Sequence, residues 1–224
     1  MSYSILHPPI SFSTLPPTFF CHELACYLQR VDARLIDEAA QINQTERTLV
    51  IFGGCAVCLW LAHAGCAGDR VSTRDLDVYG THALCSSSTL RAHFQHRETL
   101  GRSPFEEVQF TGDQFCCPPD EAKNRIDITH IFGLSQLRVF VLHPFDLMIT
   151  KIARYGDRDY QDLDALYEGI VRARGHEQKF IDYFYTAYAF VSAHSEQLNY
   201  RDASLDLFGQ PFDERLVNMD PRNI

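Results

Sequence analysis

The hydrophobic pattern changes period along this chain, and the change divides it. Over residues 19–43, Leu24, Leu28, Val31, Leu35 and Ala39 fall three or four apart, which predicts a helix with one buried face. Residues 48–52 read as a short buried strand. Residues 55–64 are apolar all round and predict a buried helix, opened by Gly53 and Gly54. A second strand is expected over 76–79, ended by Gly80, then a short helix over 88–97. The alternation at 105–111 predicts a strand that Gly112-Asp113 turns. Residues 125–131 alternate again, and 137–142 form a last strand.

After His143-Pro144 the pattern becomes helical, over 145–154, 159–174 and 178–194. The tail, 195–224, is polar and carries Pro211 and Pro221, so it is expected to be irregular. Residues 1–18, rich in Pro and Ser, read as an irregular arm. The sum is an α+β fold. A mixed β-sheet core flanked by helices spans 19–143, and a C-terminal helical subdomain spans 144–194.

At 224 residues, 46% of them hydrophobic, the chain can bury a core. Its net charge of −9 argues against binding DNA or RNA through a broad basic surface, so an RNA contact should be small and salt-sensitive. No apolar run is long enough for a membrane span and no secretory leader is evident, so a cytoplasmic protein is expected. The eight cysteines are scattered and read as free thiols in a reducing compartment. Cys55 and Cys58 sit in the apolar helix with no second Cys-x-x-Cys, which makes them core thiols.

The candidate chemistry lies in Asp75-Leu76-Asp77-Val78. Side chains two apart on a strand share a face, so both carboxylates converge while Leu76 and Val78 face the core. Two carboxylates on one face repel unless a cation sits between them, and Mg²⁺ with nucleotide phosphates is a common solution. Gly53 and Gly54 follow a strand and open a helix, where bare backbone N–H groups can approach an anion.

This order of strand, Gly-Gly turn, helix and Asp-x-Asp strand resembles the nucleotidyltransferase superfamily that includes DNA polymerase beta. Gly53-Gly54-Cys55-Ala56, and Arg70 with Thr73 ahead of the acids, are similar to the AbiEii/MenT-type toxin nucleotidyltransferases of toxin–antitoxin and phage-defence systems. A second block is also similar: the Pro-led helix with Lys151, then Arg158-Asp159-Tyr160-Gln161-Asp162-Leu163. The segment between the glycines and Asp75 is long for the superfamily, with an insertion around 64–69.

The resemblance implies a transferase that moves a nucleoside monophosphate from an NTP to an acceptor hydroxyl with two Mg²⁺ ions. It assigns metal to Asp75 and Asp77, and a third acid on a neighbouring strand, for which Asp127 is the best-placed candidate ahead of Asp113. Gly53, Gly54, Arg70 and Thr73 would bind the nucleotide. Lys151 would neutralise the triphosphate, and Asp162 would orient Lys151 or pack two helices. The acceptor it implies is a tRNA or other RNA 3′ end or a protein, with an antitoxin protein as partner. Two alternatives stay open: a small-molecule nucleotidyltransferase acting on cationic aminoglycoside-like substrates, and a degenerate module that binds nucleotide or a partner. The aromatic group Tyr183, Phe184, Tyr185, Tyr188 and Phe190 suits base stacking but is read as core or interface, and His130 as structural.

Overall fold

Strand β1 (Thr48–Ile51) is apolar on both faces, with Leu49, Val50 and Ile51 all buried, and it takes the middle of the sheet. This is a computed structural model that describes residues 8, 10–38, 48–66, 75–80, 107–111 and 125–217. The chain forms two compact units, one of Ile10–Gln114 with Arg125–Leu142, the other of Met1–Pro9, Phe115–Asn124 and His143–Ile224.

The first unit is the α+β core. After helix α1 (Phe19–Glu38) come β1, helix α2 (Gly53–His63), β2 (Asp75–Gly80), β3 (Glu107–Thr111), β4 (Arg125–Asp127), the one-turn helix α3 (Thr129–Phe132) and β5 (Arg138–Leu142). The five described strands order β3-β2-β1-β5-β4. β1 runs antiparallel to β2 and parallel to β5; β3 is parallel to β2, and β4 antiparallel to β5. The sheet is therefore mixed, and parallel neighbours are reached only by crossovers.

Strand parity separates the two faces. Leu76 and Val78, Leu49 and Ile51, and Val139 and Val141 occupy one face with no exposed surface. Helix α2 packs on β2 and on α1. Cys55, Ala56, Val57, Leu59 and Trp60 are all without exposure, which explains an apolar sequence with no polar side. The opposite face carries Asp75 and Asp77, Val50, Arg138, Phe140, Arg125 and Asp127. Cys55 and Cys58 are core thiols as read, and burial pushes the Cys55 thiol well up, with Cys58 and Asp77 nearby adding to the effect.

Helix α1 buries the predicted stripe of Leu24, Leu28, Val31 and Leu35. It is also tied down by a carboxylate absent from that pattern. Asp32, buried to 6% exposure, accepts the backbone N–H groups of Ser135 (2.9 Å), Gln136 (2.7 Å) and Leu137 (2.6 Å), and the Ser135 hydroxyl (3.0 Å). Gln29 Nε2 donates to the Phe132 carbonyl. The α3–β5 connection thus hangs on two α1 side chains. In the arm, Ile10 and Phe12 are buried, and the Phe12 ring lies 4.6 Å from Trp60 and 4.3 Å from His63.

The second unit is helical: α4 (Pro144–Arg154), α5 (Asp157–Leu166), a π-helical segment (Tyr167–Arg172), α6 (Glu177–Tyr188), α7 (His194–Phe208) and a 3₁₀ turn (Glu214–Leu216). Its core is aromatic. Phe145, Phe180, Tyr183, Phe184 and Tyr200 are without exposure, and Phe184 packs against Tyr200 and Phe208 at 4.9 and 5.1 Å. The aromatic group of α6 is therefore core for Tyr183, Phe184 and Tyr185, while Phe190 is half exposed. His143 accepts the Phe145 N–H through Nδ1 and donates from Nε2 to the Pro8 carbonyl, which sets its tautomer. No helix among the described residues is long and apolar enough to cross a membrane.

Several boundaries differ from the periodicity reading. The strand read over 125–131 stops at Asp127, because the Asp127 carboxylate captures the Thr129 N–H (2.9 Å) and starts the α3 turn. The helix read over 159–174 starts at Asp157 and gives way to the π-helix at Tyr167. The helix read over 178–194 ends at Tyr188, and the tail read as irregular contains α7. Tyr200, Ala203, Ser204 and Leu207 form the buried stripe of α7, a helical spacing diluted by the polar residues around it. Helix α1 is described as Phe19–Glu38, and residues 39–43 of the expected helix lie outside the described residues. The helix read over 88–97 lies outside the described residues.

Replacing Asp32 with Ala should lower the unfolding free energy by about 3 kcal/mol, since it strips a charged acceptor from three backbone donors. Urea unfolding checks this. A midpoint equal to that of the unaltered protein would mean the Ser135–Leu137 turn finds other acceptors.

Candidate active site

The site begins with the β1–β2 register. Ile51 pairs with Val78, and the ladder continues one step as the Phe52 N–H donates to the Asp77 carbonyl at 3.2 Å. The next residue, Gly53, therefore lands against the Asp77 side chain. Its φ is +60°, in the left-handed region that glycine tolerates. A β-carbon built there would fall 2.0 Å from Asp77 Oδ2 and 2.8 Å from its Cγ. No side chain other than hydrogen fits between this backbone and this carboxylate.

Helix α2 starts at Gly53, and its first internal bond is Ala56 N–H to the Phe52 carbonyl (3.2 Å). Phe52 offers no side-chain cap. The N–H groups of Gly53, Gly54 and Cys55 precede that bond, at the positive end of the helix. Asp75 lies two residues earlier on the same face of β2, and both residues are half-buried while Leu76 and Val78 between and beyond them are sealed. The fold sets Gly53 against Asp77, with Asp75 on the same face of β2.

Asp127 is not brought to the pair. It ends β4 at one edge of the described sheet, three strands from β2, about 14 Å at the usual strand spacing. Its carboxylate is engaged locally, accepting the Thr129 N–H (2.9 Å) and Arg138 Nη2 (3.1 Å). Burial opposes its ionisation, but the Thr129 and Arg138 bonds outweigh that and hold its carboxyl below the ordinary range. Asp127, expected as a third acid on a strand beside the pair, stands on β4, which neighbours β5 and not β2. The strand beside β2 is β3, whose register sets Glu107 level with Asp75 and Gln109 level with Asp77. Sequence reasoning passed over Glu107 because an acid opening an alternating strand carries no mark of its own; strand order supplies the signal. Arg70, Thr73 and Asp113 lie outside the described residues.

The donor set fits Mg²⁺. The glycine cradle leaves the Asp77 carboxylate hard against the start of α2, and Asp75 shares its face. A small hard cation takes one or two carboxylates and completes its shell with water and phosphate oxygen. Among the described residues no group of three or more His, Cys, Asp or Glu side chains could hold a metal.

Lys151 and Asp162 belong to the helical unit. Lys151 is 4% exposed, and its ammonium lies 3.0 Å from Asp159 Oδ1 and 2.8 Å from Asp162 Oδ2. Arg154 Nη2 reaches the same Asp159 oxygen at 2.7 Å. These pairs join α4 to α5, so the geometry favours the helix-packing role for Asp162. Burial works against the Asp159 charge, yet Lys151 and Arg154 more than offset it and hold the carboxyl below its ordinary value. Asp159 was absent from the sequence-based site.

Two measurements follow. Gly133 also has positive φ (+63°) but open space where its β-carbon would go, so Gly133→Ala should cost about 1 kcal/mol and Gly53→Ala at least twice that. Equal unfolding midpoints for the two variants would mean Asp77 can swing clear. Lys151→Met should destabilise the protein by about 3–5 kcal/mol, because two buried carboxylates lose their cation. Since Asp159 titrates lower when folded, its contribution is present above its unfolded value near pH 4 and lost as pH falls through the folded one. Asp159→Asn should flatten that acid limb of stability against pH, and an unchanged limb would assign it to other carboxylates.

Comparison with protein families matches residues 29–174 to a family described as a nucleotidyltransferase of unknown function. No curated protein and no solved structure matches the chain. The matched span holds the whole β1–α2–β2 element and the Lys151 cluster, and covers well over half of the sequence. The chain belongs to the family of nucleotidyltransferases of unknown function (DUF6036).

Proposed function

We propose that this protein transfers a nucleoside monophosphate from an NTP to an acceptor hydroxyl, releasing pyrophosphate, with Mg²⁺ held by Asp75 and Asp77. The observation that carries this reading is the packing of the Asp77 carboxylate on bare Gly53 at the start of α2. A degenerate domain would have no need of a backbone kept free of a β-carbon beside an acid. Bound Mg²⁺ would supply charge neutralisation for the triphosphate and the departing pyrophosphate.

The protein's own residues supply the rest. The β1–β2 ladder holds Asp77 in place, so it needs no reorganisation to bind a cation. The first N–H groups of α2 favour anionic phosphate oxygens. Glu107, level with Asp75 on the adjoining strand, takes the role of third acid, accepting the acceptor hydroxyl's proton or completing the cation's ligands. The Gly-Gly-x-Ala turn and the Arg-Asp-x-x-Asp-Leu block favour the toxin-like branch over the antibiotic-modifying one. Growth inhibition with a paired antitoxin is the biology that this branch would bring.

Transfer from each labelled NTP, with Mg²⁺, onto total RNA and total protein tests the reading. Asp75→Asn and Asp77→Asn should each lower transfer at least about a hundredfold. Glu107→Gln should fall by a similar factor, whereas Asp127→Asn should stay within about twofold of the unaltered protein. Transfer that survives both Asp75→Asn and Asp77→Asn would sink the assignment, and loss on Asp127→Asn alone would restore Asp127.

A further inference from the structure

Helix α7 buries one side and leaves the other apolar along its middle. Tyr200, Ala203, Ser204 and Leu207 are its buried stripe. On the opposite side stand Leu198, 47% exposed, and Leu205, 56% exposed. They are seven residues apart, so they share a line along the helix, about 10 Å from one to the other. Just ahead of the helix Phe190 is 49% exposed. Five large hydrophobic side chains are exposed among the described residues, and three of them fall between residues 190 and 205. Apolar surface gathered in this way, rather than scattered singly, marks a contact.

The charges beside the leucines decide what fits. Arg201 and Asp202 are both exposed and lie between Leu198 and Leu205 in the helix, one on each side of the line that joins them. Arg201 Nη2 holds Glu214 at 2.6 Å, in a pair exposed at both ends. Such a surface pair contributes little, and a guanidinium with five N–H donors can hold a second carboxylate. A lipid surface favours cations on both flanks of an apolar stripe and would meet Asp202 on one of them. A basic segment of another protein would meet Arg201, and an acidic segment Asp202. A second copy meets neither conflict. When two α7 helices lie side by side and parallel, about a two-fold axis along them, each leucine meets its own counterpart. Arg201 of one copy then faces Asp202 of the other, on both flanks. The antiparallel pair would set Arg201 against Arg201 and Asp202 against Asp202. The order of the charges therefore selects the parallel pair, and the pattern is self-complementary, as an isologous contact requires.

We infer that the exposed side of α7 docks a second copy of this chain, as a parallel two-fold pair packed through Leu198 and Leu205 and flanked by Arg201–Asp202 ion pairs between the copies. Two leucines from each copy make a small apolar centre, short of a permanent interface, so the dimer exchanges with monomer at micromolar concentrations. The inference stands apart from the transferase reading and needs neither NTP nor Mg²⁺.

The test is sedimentation velocity of the full chain from about 1 to about 200 μM at low salt. The variants are Leu198→Ser/Leu205→Ser, Arg201→Asp, Asp202→Arg, and the double exchange Arg201→Asp/Asp202→Arg. All four positions are exposed, and thermal unfolding confirms that each variant is folded. The intact protein should pass from monomer to dimer over this range, and the leucine variant should stay monomeric. Each single charge variant sets like charges against each other on both flanks and should raise the dissociation constant at least about tenfold. The double exchange restores opposite charges in reversed order and should return the constant to within about threefold of the intact protein. Monomer at every concentration overturns the inference, which is the outcome if this side serves a different protein or a lipid surface. Dimers that survive the leucine variant use another face and overturn it as well. So does a double exchange as weak as the single variants, because the charges would then not oppose each other across a parallel axis.

Discussion

Everything at the site depends on how β1 ends against β2. The backbone bond from Phe52 to Asp77 is the last rung of an antiparallel ladder, and it puts a left-handed glycine directly against a carboxylate. A strand register is discrete: a slip by one residue would turn Asp75 and Asp77 into the core and Leu76 and Val78 out. The burial of those two apolar side chains therefore holds the acids on the opposite face. Hydrophobic burial and the placement of the two acids are one constraint here.

The buried helix α2 reinforces that constraint. Its residues from Cys55 to Ala62 are buried, and Trp60 donates its indole N–H to the Leu142 carbonyl (2.9 Å), pinning the helix to the end of β5. A helix so placed cannot rotate to relieve a side chain at its first residue. Asp32 acts at the other side of the same core, where a short α3 turn must be connected to β5. Buried backbone donators there have no sheet partners, and a carboxylate from α1 satisfies three of them.

In the helical unit the same economy of polar groups appears around Lys151. One ammonium neutralises two buried carboxylates, and an exposed arginine covers the remaining charge of Asp159. The spacing of Lys151, Asp159 and Asp162 lets one ammonium bridge two helices joined by a two-residue turn. It is a clamp between α4 and α5.

The sequence by itself determined the elements whose patterns are local. The α1 stripe, the all-apolar α2, the alternation of Leu76 and Val78 with the acids, and the glycine that had to follow β1 were all legible, because period and turn chemistry act between near neighbours. Helix α7 was legible in principle from Tyr200, Ala203 and Leu207 but was hidden in a polar composition. Strand order decided the rest. Asp127 and Glu107 look alike as acids on alternating strands, and only the order β3-β2-β1-β5-β4 sets Glu107 level with Asp75 and sends Asp127 to the far edge beside Arg138. The pairing of distant strands is chosen by how whole faces bury one another, a sum over the sheet that no local stretch of sequence records.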